Sequence, residues 1–134
     1  MKKTIASLIL ATFAVTLLSV APPLVPADNK TLWKQYEAAL KKGLPKTAIT
    51  HLDPIIARAL KAKNYDEAIK AIGKKIALEG NIQGNLPEEK IVRLEAEIAK
   101  APKEMAPVMD AVLANWYWHY FQRNRWRFMQ RTQS

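Results

Sequence analysis

Several residue types are missing or scarce in this chain of 134 residues, and each gap excludes a kind of chemistry. There is no cysteine, so disulfides, lipidated-cysteine anchors and cysteine nucleophiles are excluded. Beyond residue 27 the only serine is Ser134, at the very end of the sequence, which argues against a serine nucleophile. The chain has 4 glycines and no glycine-rich phosphate loop. We therefore predict that it is not an enzyme.

The remaining candidates for catalysis or metal binding are two histidines and a pair of glutamates. His51 and His119 lie on different predicted helices without the spacing of metal ligands, which favours surface histidines, although a meeting of the two in the folded protein stays open. Glu88 and Glu89 point about 100° apart on a helix, which fits the preference for acidic residues at a helix start better than an acid–base pair. We predict no catalytic residue, no metal site and no cofactor.

The first 27 residues have the features of a secretory signal peptide. A positive start is followed by an uncharged apolar run over residues 5–20, and Val25 and Ala27 stand at the minus-three and minus-one positions of a cleavage site. The run is shorter than the roughly 20 apolar residues of a membrane span, which favours cleavage over a retained anchor. We expect export to the periplasm, the cell envelope or the extracellular space, with residues 28–134 as the mature module.

The mature module is basic and fits one small helical domain. Its net charge is +7 against +9 for the whole chain, because residues 1–27 hold two of the 21 basic residues and none of the 12 acidic ones. Apolar residues recur at helical spacings, and no alternating strand pattern is recognisable. We predict an all-α fold of irregular antiparallel helical hairpins that ends in a long helix rich in aromatic residues and arginine.

The first helix of the module is predicted over residues 30–42. Trp33, Tyr36 and Leu40 recur at spacings of three and four and are expected to face inward. Gly43 ends the helix because glycine tolerates the left-handed conformation that follows a helix. The candidate N-caps are Asp28, Asn29 and Thr31.

The second helix is predicted over residues 45–62. Pro54 lies inside it and removes the amide that would bond to the carbonyl of Thr50, so we expect a kink or break at Asp53. Its inward side chains are predicted to be Ala48, Leu52, Ile56, Ala59 and Leu60.

The third helix starts at Asn64, which has the spacing of a capping box with Glu67, and stops near Gly80. Gly73 in its middle indicates either a close helix contact or an imperfection worth about 1 kcal/mol. A fourth helix opens at Pro87. The predicted apolar stripes are Tyr65, Ala68, Ile69, Ile72 and Ile76 on the third helix and Ile91, Leu94 and Ile98 on the fourth.

The short turns between these helices resemble those of tetratricopeptide-type repeats. The segment NYDEA at residues 64–68 is similar to the hairpin turn of that repeat, and Ala48 follows Gly43 as Ala68 follows Asn64. The two turns lie about 20 residues apart, whereas that repeat has a period of about 34. We therefore predict a short, irregular helical-hairpin module.

The last third of the chain predicts one long helix over residues 107–132, about 39 Å in length. One stripe fits a core-facing side and consists of Met109, Val112, Leu113, Trp116 and Tyr120. A second apolar line lies about a quarter turn away and consists of Tyr117, Phe121 and Phe128. Trp118 lies nearly opposite Trp116. A helix that is apolar on nearly all sides is normally enclosed by protein, so we expect a partner, or the rest of a larger protein, to cover it.

Arginines alternate with aromatic residues near the end of this helix, and no acidic residue follows Asp110. The mixture fits a protein interface, an anionic polymer such as nucleic acid or a glycan, or an anionic membrane surface. A signal peptide would export the protein from the compartment that holds most nucleic acid. The aromatic side chains also require burial whatever the arginines bind, so we rank packing against protein first. The predicted contact residues are Trp116, Trp118, Phe121, Arg123, Arg125 and Trp126.

The run NWYWHYFQRNRWRF at residues 115–128 resembles the amino-terminal helical region of very large exported bacterial proteins of the alpha-2-macroglobulin-like family. The two turns at residues 43–48 and 64–68 are also similar to that region. The resemblance implies a large extracytoplasmic protein with many macroglobulin β-sandwich domains, associated with trapping or inhibiting proteases. On this basis residues 28–134 are expected to be the leading part of a larger protein, or a free-standing relic of one.

This chain also departs from the family's pattern. It has no β-sandwich, no bait segment and no cysteine for the thioester of some family members. The resemblance therefore assigns no functional residue to any position here.

Overall fold

The computed structural model describes residues 28–131 and contains five helices in that range. They are α1 Asn29–Lys41, α2 Pro45–Lys61, α3 Tyr65–Ile82, α4 Pro87–Ile98 and α5 Ala106–Arg131. Each helix packs against the next one along the chain, and short turns make the neighbours helical hairpins. The predicted all-α class is confirmed. The expected signal peptide and Ser134 lie outside the described residues.

The turns after α1 and α2 have the same backbone structure. Gly43 and Lys63 adopt left-handed conformations with φ of 69° and 56°. The amide of the next residue then bonds back across the helix end, from Leu44 to the carbonyl of Ala39 at 3.0 Å and from Asn64 to that of Ala59 at 2.8 Å. This pattern is the Schellman motif. The sequence predicts the left-handed conformation at Gly43 but gives no sign that Lys63 adopts it.

Helix α1 begins at an aspartate cap. The Oδ1 atom of Asp28 accepts a hydrogen bond from the amide of Thr31 at 2.8 Å, which selects Asp28 among the three predicted caps. A hydrogen bond from the side chain of Thr31, followed by this one from its amide, lowers the pKa of the Asp28 carboxyl below its usual value. The cap thus satisfies one of the amides that the first turn leaves without a partner.

The side chains of α1 also reach α3. Asn29 Nδ2 and Trp33 Nε1 donate to the two carboxylate oxygens of Glu67 at 2.9 and 2.8 Å. Farther along, the ammonium of Lys70 lies 4.9 Å from the ring centre of Trp33. These contacts advance in the same direction on both helices, so α1 and α3 run parallel, with the antiparallel α2 joining them. The first core cluster lies between the three helices and consists of Leu32, Tyr36, Ala39, Ala48, Leu52, Ile55 and Ala71.

A second core cluster holds α4 and the start of α5 against α2 and α3. Its buried members are Ala59, Ala68, Ile72, Ile76, Leu94, Met105 and Met109. Met105, in the turn before α5, is fully buried and carries no helical periodicity that would predict this. Ile56 of α2 contacts both clusters, so the two cores are continuous.

Four details of the predicted helices need correction. Leu40 is 37% exposed, because the α1–α2 contact falls one position earlier, on Ala39. Ile55 is fully buried although it was not predicted to face inward. α2 runs through Pro54 without a break, and α3 extends past Gly80 to Ile82.

The two helical glycines of α3 have different surroundings. A Cβ atom at Gly73 would meet nothing within 4 Å, which favours the imperfection over the close contact. A Cβ at Gly80 would lie 2.3 Å from Cε of Lys90. The close helix contact thus exists at Gly80, where the lysine stem of α4 lies across α3.

Candidate docking surface on the last helix

The first half of α5 belongs to the core. Met109 is fully buried, and the predicted stripe continues through partly buried Val112, Leu113 and Trp116, which pack against the second cluster. The side of α5 that carries these residues is called its inner side below.

Two tyrosine hydroxyls tie the middle of α5 to α4. Tyr117 donates to Oε1 of Glu95 at 2.5 Å, and Tyr120 donates to Oε1 of Glu88 at 2.8 Å. The hydrogen bond to Glu95 raises the pKa of the Tyr117 hydroxyl. The Glu88 carboxyl has a pKa below its usual value, because its own backbone N–H, the Tyr120 hydroxyl and the charge of Arg127 all favour the ionised form.

Glu88 lies in the first turn of α4, so α5 passes the start of α4 soon after Tyr120. Residues 124–131, about 12 Å of helix, project beyond it. Most side chains of this projecting segment are exposed.

The side of α5 opposite the core exposes large apolar residues. Trp118 is 57% exposed, Trp126 is 65% exposed and Phe121 is 43% exposed. At 100° per residue these side chains span about 140° of the helix circumference, on the side away from Trp116 and with Trp126 at the edge. We call this surface the outer face and define it as Trp118, Phe121, Arg125, Trp126, Phe128 and Met129.

Neighbouring rings on the outer face contact one another. The ring centres of Trp118 and Phe121 are 6.0 Å apart, and those of Phe121 and Phe128 are 5.8 Å apart and stacked. The guanidinium of Arg125 lies 5.5 Å from the ring centre of Trp126. These contacts cover only part of each ring, so the surface remains both apolar and cationic.

The six predicted contact residues do not share one surface. Trp118, Phe121, Arg125 and Trp126 lie on the outer face, whereas Trp116 and Arg123 lie on the inner side. Phe128 and Met129 also belong to the outer face although they were not among the six. Phe128 lies seven residues after Phe121, and this helical spacing already indicated that the two share a face.

Arg123, Arg125 and Arg127 of α5 have no ion-pair partner among residues 28–131. Successive members are two residues apart, so each points about 200° from the next around the helix. Arg125 alone is on the outer face. Arg123 and Arg127 are four residues apart and therefore share the inner side, so the basic residues are divided between two opposite sides of the helix.

Within residues 28–131 there is no group of three or more histidine, cysteine or acidic side chains that could hold a metal ion. His51 is partly buried on α2, and His119 is exposed on α5. None of the helices in this range is long and apolar enough to cross a membrane.

The chain was compared with models of protein families, with curated proteins and with solved structures, and no match was found.

Proposed function

We propose that the protein is a non-catalytic helical module that docks onto other protein through the outer face of α5. The supporting observation is the exposure of Trp118, Phe121 and Trp126 on one face, away from the core. A contiguous apolar patch on a protein surface is more often an interaction site than a surface that stays exposed to solvent. Tryptophan and arginine are also the side chains most enriched at interface hot spots.

The chemistry of the outer face restricts the partner surface. Arg125 is its only charged member, and no acidic residue follows Asp110. Two copies of this face would bring like charges together, which disfavours self-association. The partner surface is therefore apolar with carboxylates at its edge. The remaining domains of an exported macroglobulin-like protein, as the sequence resemblance implies, are the first candidate.

Site-specific photo-crosslinking tests this proposal. A benzophenone side chain would replace Trp118 in the native host, and the same group would replace Lys34 on the exposed side of α1 as the matched control. Mass spectrometry of the crosslinked peptides is expected to join residue 118 to a protein segment outside residues 28–131, in the same or another chain. Residue 34 is expected to form no such adduct. Adducts from residue 118 only to lipid, or none in the native host, would overturn the proposal.

An anionic polymer or membrane surface is the second candidate, because Arg123, Arg125 and Arg127 form no ion pair among the described residues. That function requires heparin affinity that falls steeply with salt, since bound phosphates or sulfates release counterions. Neutralising Arg123, Arg125 and Arg127 together would abolish it. Since Arg125 points away from the side that Arg123 and Arg127 share, we expect weak retention on heparin that no single substitution removes.

A further inference from the structure

A pocket of about 340 Å³ opens on the inner side of α5, opposite the outer face. It lies where the end of α3, the start of α4 and the middle of α5 meet. Its apolar wall comprises Ala77, Ile91 and the ring of Trp116. Its volume is near the lower end of the range of about 300 to 1,000 Å³ for small-molecule sites.

The polar lining of this pocket includes two cationic side chains. Lys90 and Arg123 line it together with Asn85, His119 and Tyr120, and no carboxylate does. The carboxylate of Glu88 accepts a hydrogen bond from the hydroxyl of Tyr120, a lining residue, but Glu88 is not itself part of the lining. The lining thus joins an apolar wall to two cationic side chains with no carboxylate among the lining residues.

The ammonium of Lys90 is held in place by neutral groups. It donates to Oδ1 of Asn81 at 3.1 Å and to Oδ1 of Asn85 at 2.5 Å. An ammonium has three donors, so one remains for a ligand, and its charge is not neutralised by these amides. Gly80 makes this position accessible, because any Cβ atom there would collide with the lysine stem.

Arg123 stands on the other helix that borders the pocket. It has no hydrogen bond or ion pair within residues 28–131, so its guanidinium is available to a planar anion. Lys90 on α4 and Arg123 on α5 therefore offer donors from both sides of the pocket mouth.

We propose that this pocket binds a small organic anion with an apolar body, such as a medium-chain carboxylate. The carboxylate accepts hydrogen bonds from Lys90 and Arg123, and the hydrocarbon part lies against Ile91 and Trp116. The site uses the inner side of α5 and does not depend on the outer face, so either proposal can fail without the other.

Calorimetric titration of the purified protein with decanoate, below its micelle concentration, tests the site. Arg123→Gln is expected to weaken binding about tenfold or more, because a charged hydrogen bond to the carboxylate is lost. The matched control is Arg125→Gln, which removes the same charge from the same helix outside the pocket and is expected to leave the affinity within about twofold. Decanol, which has the same chain without the charge, is expected to bind at least tenfold more weakly than decanoate.

Indole N–H signals in NMR spectra locate the bound probe. Decanoate is expected to shift the signal of Trp116 and to leave that of Trp33, on α1, unchanged. Circular dichroism of Arg123→Gln provides the folding control, which we expect it to pass because Arg123 makes no hydrogen bond or ion pair within residues 28–131. Absence of decanoate binding, equal losses in the two arginine variants, equal binding of decanol, or shifts of Trp118 and Trp126 in place of Trp116 would each overturn the proposal.

Discussion

Trp116 and Trp118 are two positions apart and have opposite surroundings. Trp116 packs against the second core cluster, whereas Trp118 is more than half exposed and touches Phe121 of its own helix. A separation of two residues turns the side chain by about 200°, so the same residue type serves the core at one position and the surface at the other. Loss of each ring should therefore affect different properties of the protein.

Trp116→Ala is expected to lower the free energy of unfolding by about 3 kcal/mol, the low end of the range for core aromatic truncations, because the ring is only partly buried. Trp118→Ala is expected to change it by less than about 0.5 kcal/mol, as for other surface substitutions. Urea denaturation followed by circular dichroism measures both. Equal losses at the two positions would contradict the assignment of inner side and outer face.

Glu67 is the residue that fastens α1 to the α2–α3 turn. Its carboxylate accepts hydrogen bonds from Asn29, Trp33 and Asn64, and its amide is capped by the Asn64 side chain at 3.4 Å. The sequence predicts the Asn64–Glu67 capping pair. The two donors from α1 come from more than 30 residues away and could not be predicted from local spacing.

Glu67→Gln tests this role. It keeps one acceptor oxygen but removes the charge that strengthens the bonds, so the free energy of unfolding should fall by about 1 to 2 kcal/mol. The control is Asp66→Asn, which removes the same charge from the first turn of α3 at an exposed position and should cost at most about 0.5 kcal/mol. If both variants lose the same stability in thermal or urea unfolding, the α1 contacts of Glu67 contribute nothing measurable.

At the scale of single elements, α5 divides along its length and around its circumference. Its first turns are core, its middle is tied to α4 by two tyrosines, and its last turns project past α4. The two sides of α5 therefore differ little in hydrophobicity, because apolar residues pack into the core on one side and form the outer face on the other. The bond between Tyr120 and Glu88 marks the point where α5 leaves the bundle.

The pKa of Glu88 reports on this bond. Since its pKa in the folded protein is below the unfolded value, its stabilising effect is present above the unfolded pKa and is lost as pH falls through the folded pKa. Tyr120→Phe removes a hydrogen bond to the carboxylate and should raise the pKa of Glu88 towards its usual value. NMR titration of the Glu88 side chain measures this, and Tyr117→Phe is the matched control that should leave it unchanged. If Tyr120→Phe leaves the pKa of Glu88 unchanged, the backbone N–H and Arg127 alone account for its lowered value.

At the scale of the whole molecule, the two core clusters share α2 and α3 and meet at Ile56. A continuous core of this size in a small domain favours a single cooperative unfolding transition. The end of α5 is outside this unit because its side chains contribute to neither cluster. Among residues 28–131, this end of α5 adds no member to either core cluster, and its ring contact between Phe128 and Tyr120 lies within the same helix.

Amide hydrogen exchange should therefore differ along the chain. The amides of residues 124–131 are expected to exchange by local fraying, far faster than those around Leu52 and Ile55 in α2, which require global opening. The exchange is measured on the purified protein at micromolar concentration. Protection at 124–131 equal to that of α2 would show that the outer face is already covered, by another copy or by another part of the chain.

Much of this fold follows from local signals in the sequence. The starts of α2 and α4 were predicted from Pro45 and Pro87, because proline fits the first helical position. The inner stripe of α5 from Met109 to Tyr120 was predicted from helical periodicity. Contacts between distant elements had no such signal: the burial of Met105 and the placement of Lys90 over Gly80 depend on how helices pack.

The amino-acid sequence by itself determined the helical class, the turns, the absence of cysteine chemistry and the excess of aromatic and basic residues at the end of the chain, because these depend on local conformation and composition. Only the tertiary structure decided which of those aromatic residues are covered. Helical periodicity had already placed Trp118 opposite Trp116. The packing of α3 and α4 on one side of α5 put Arg123 beside a pocket and left Trp118 and Trp126 exposed.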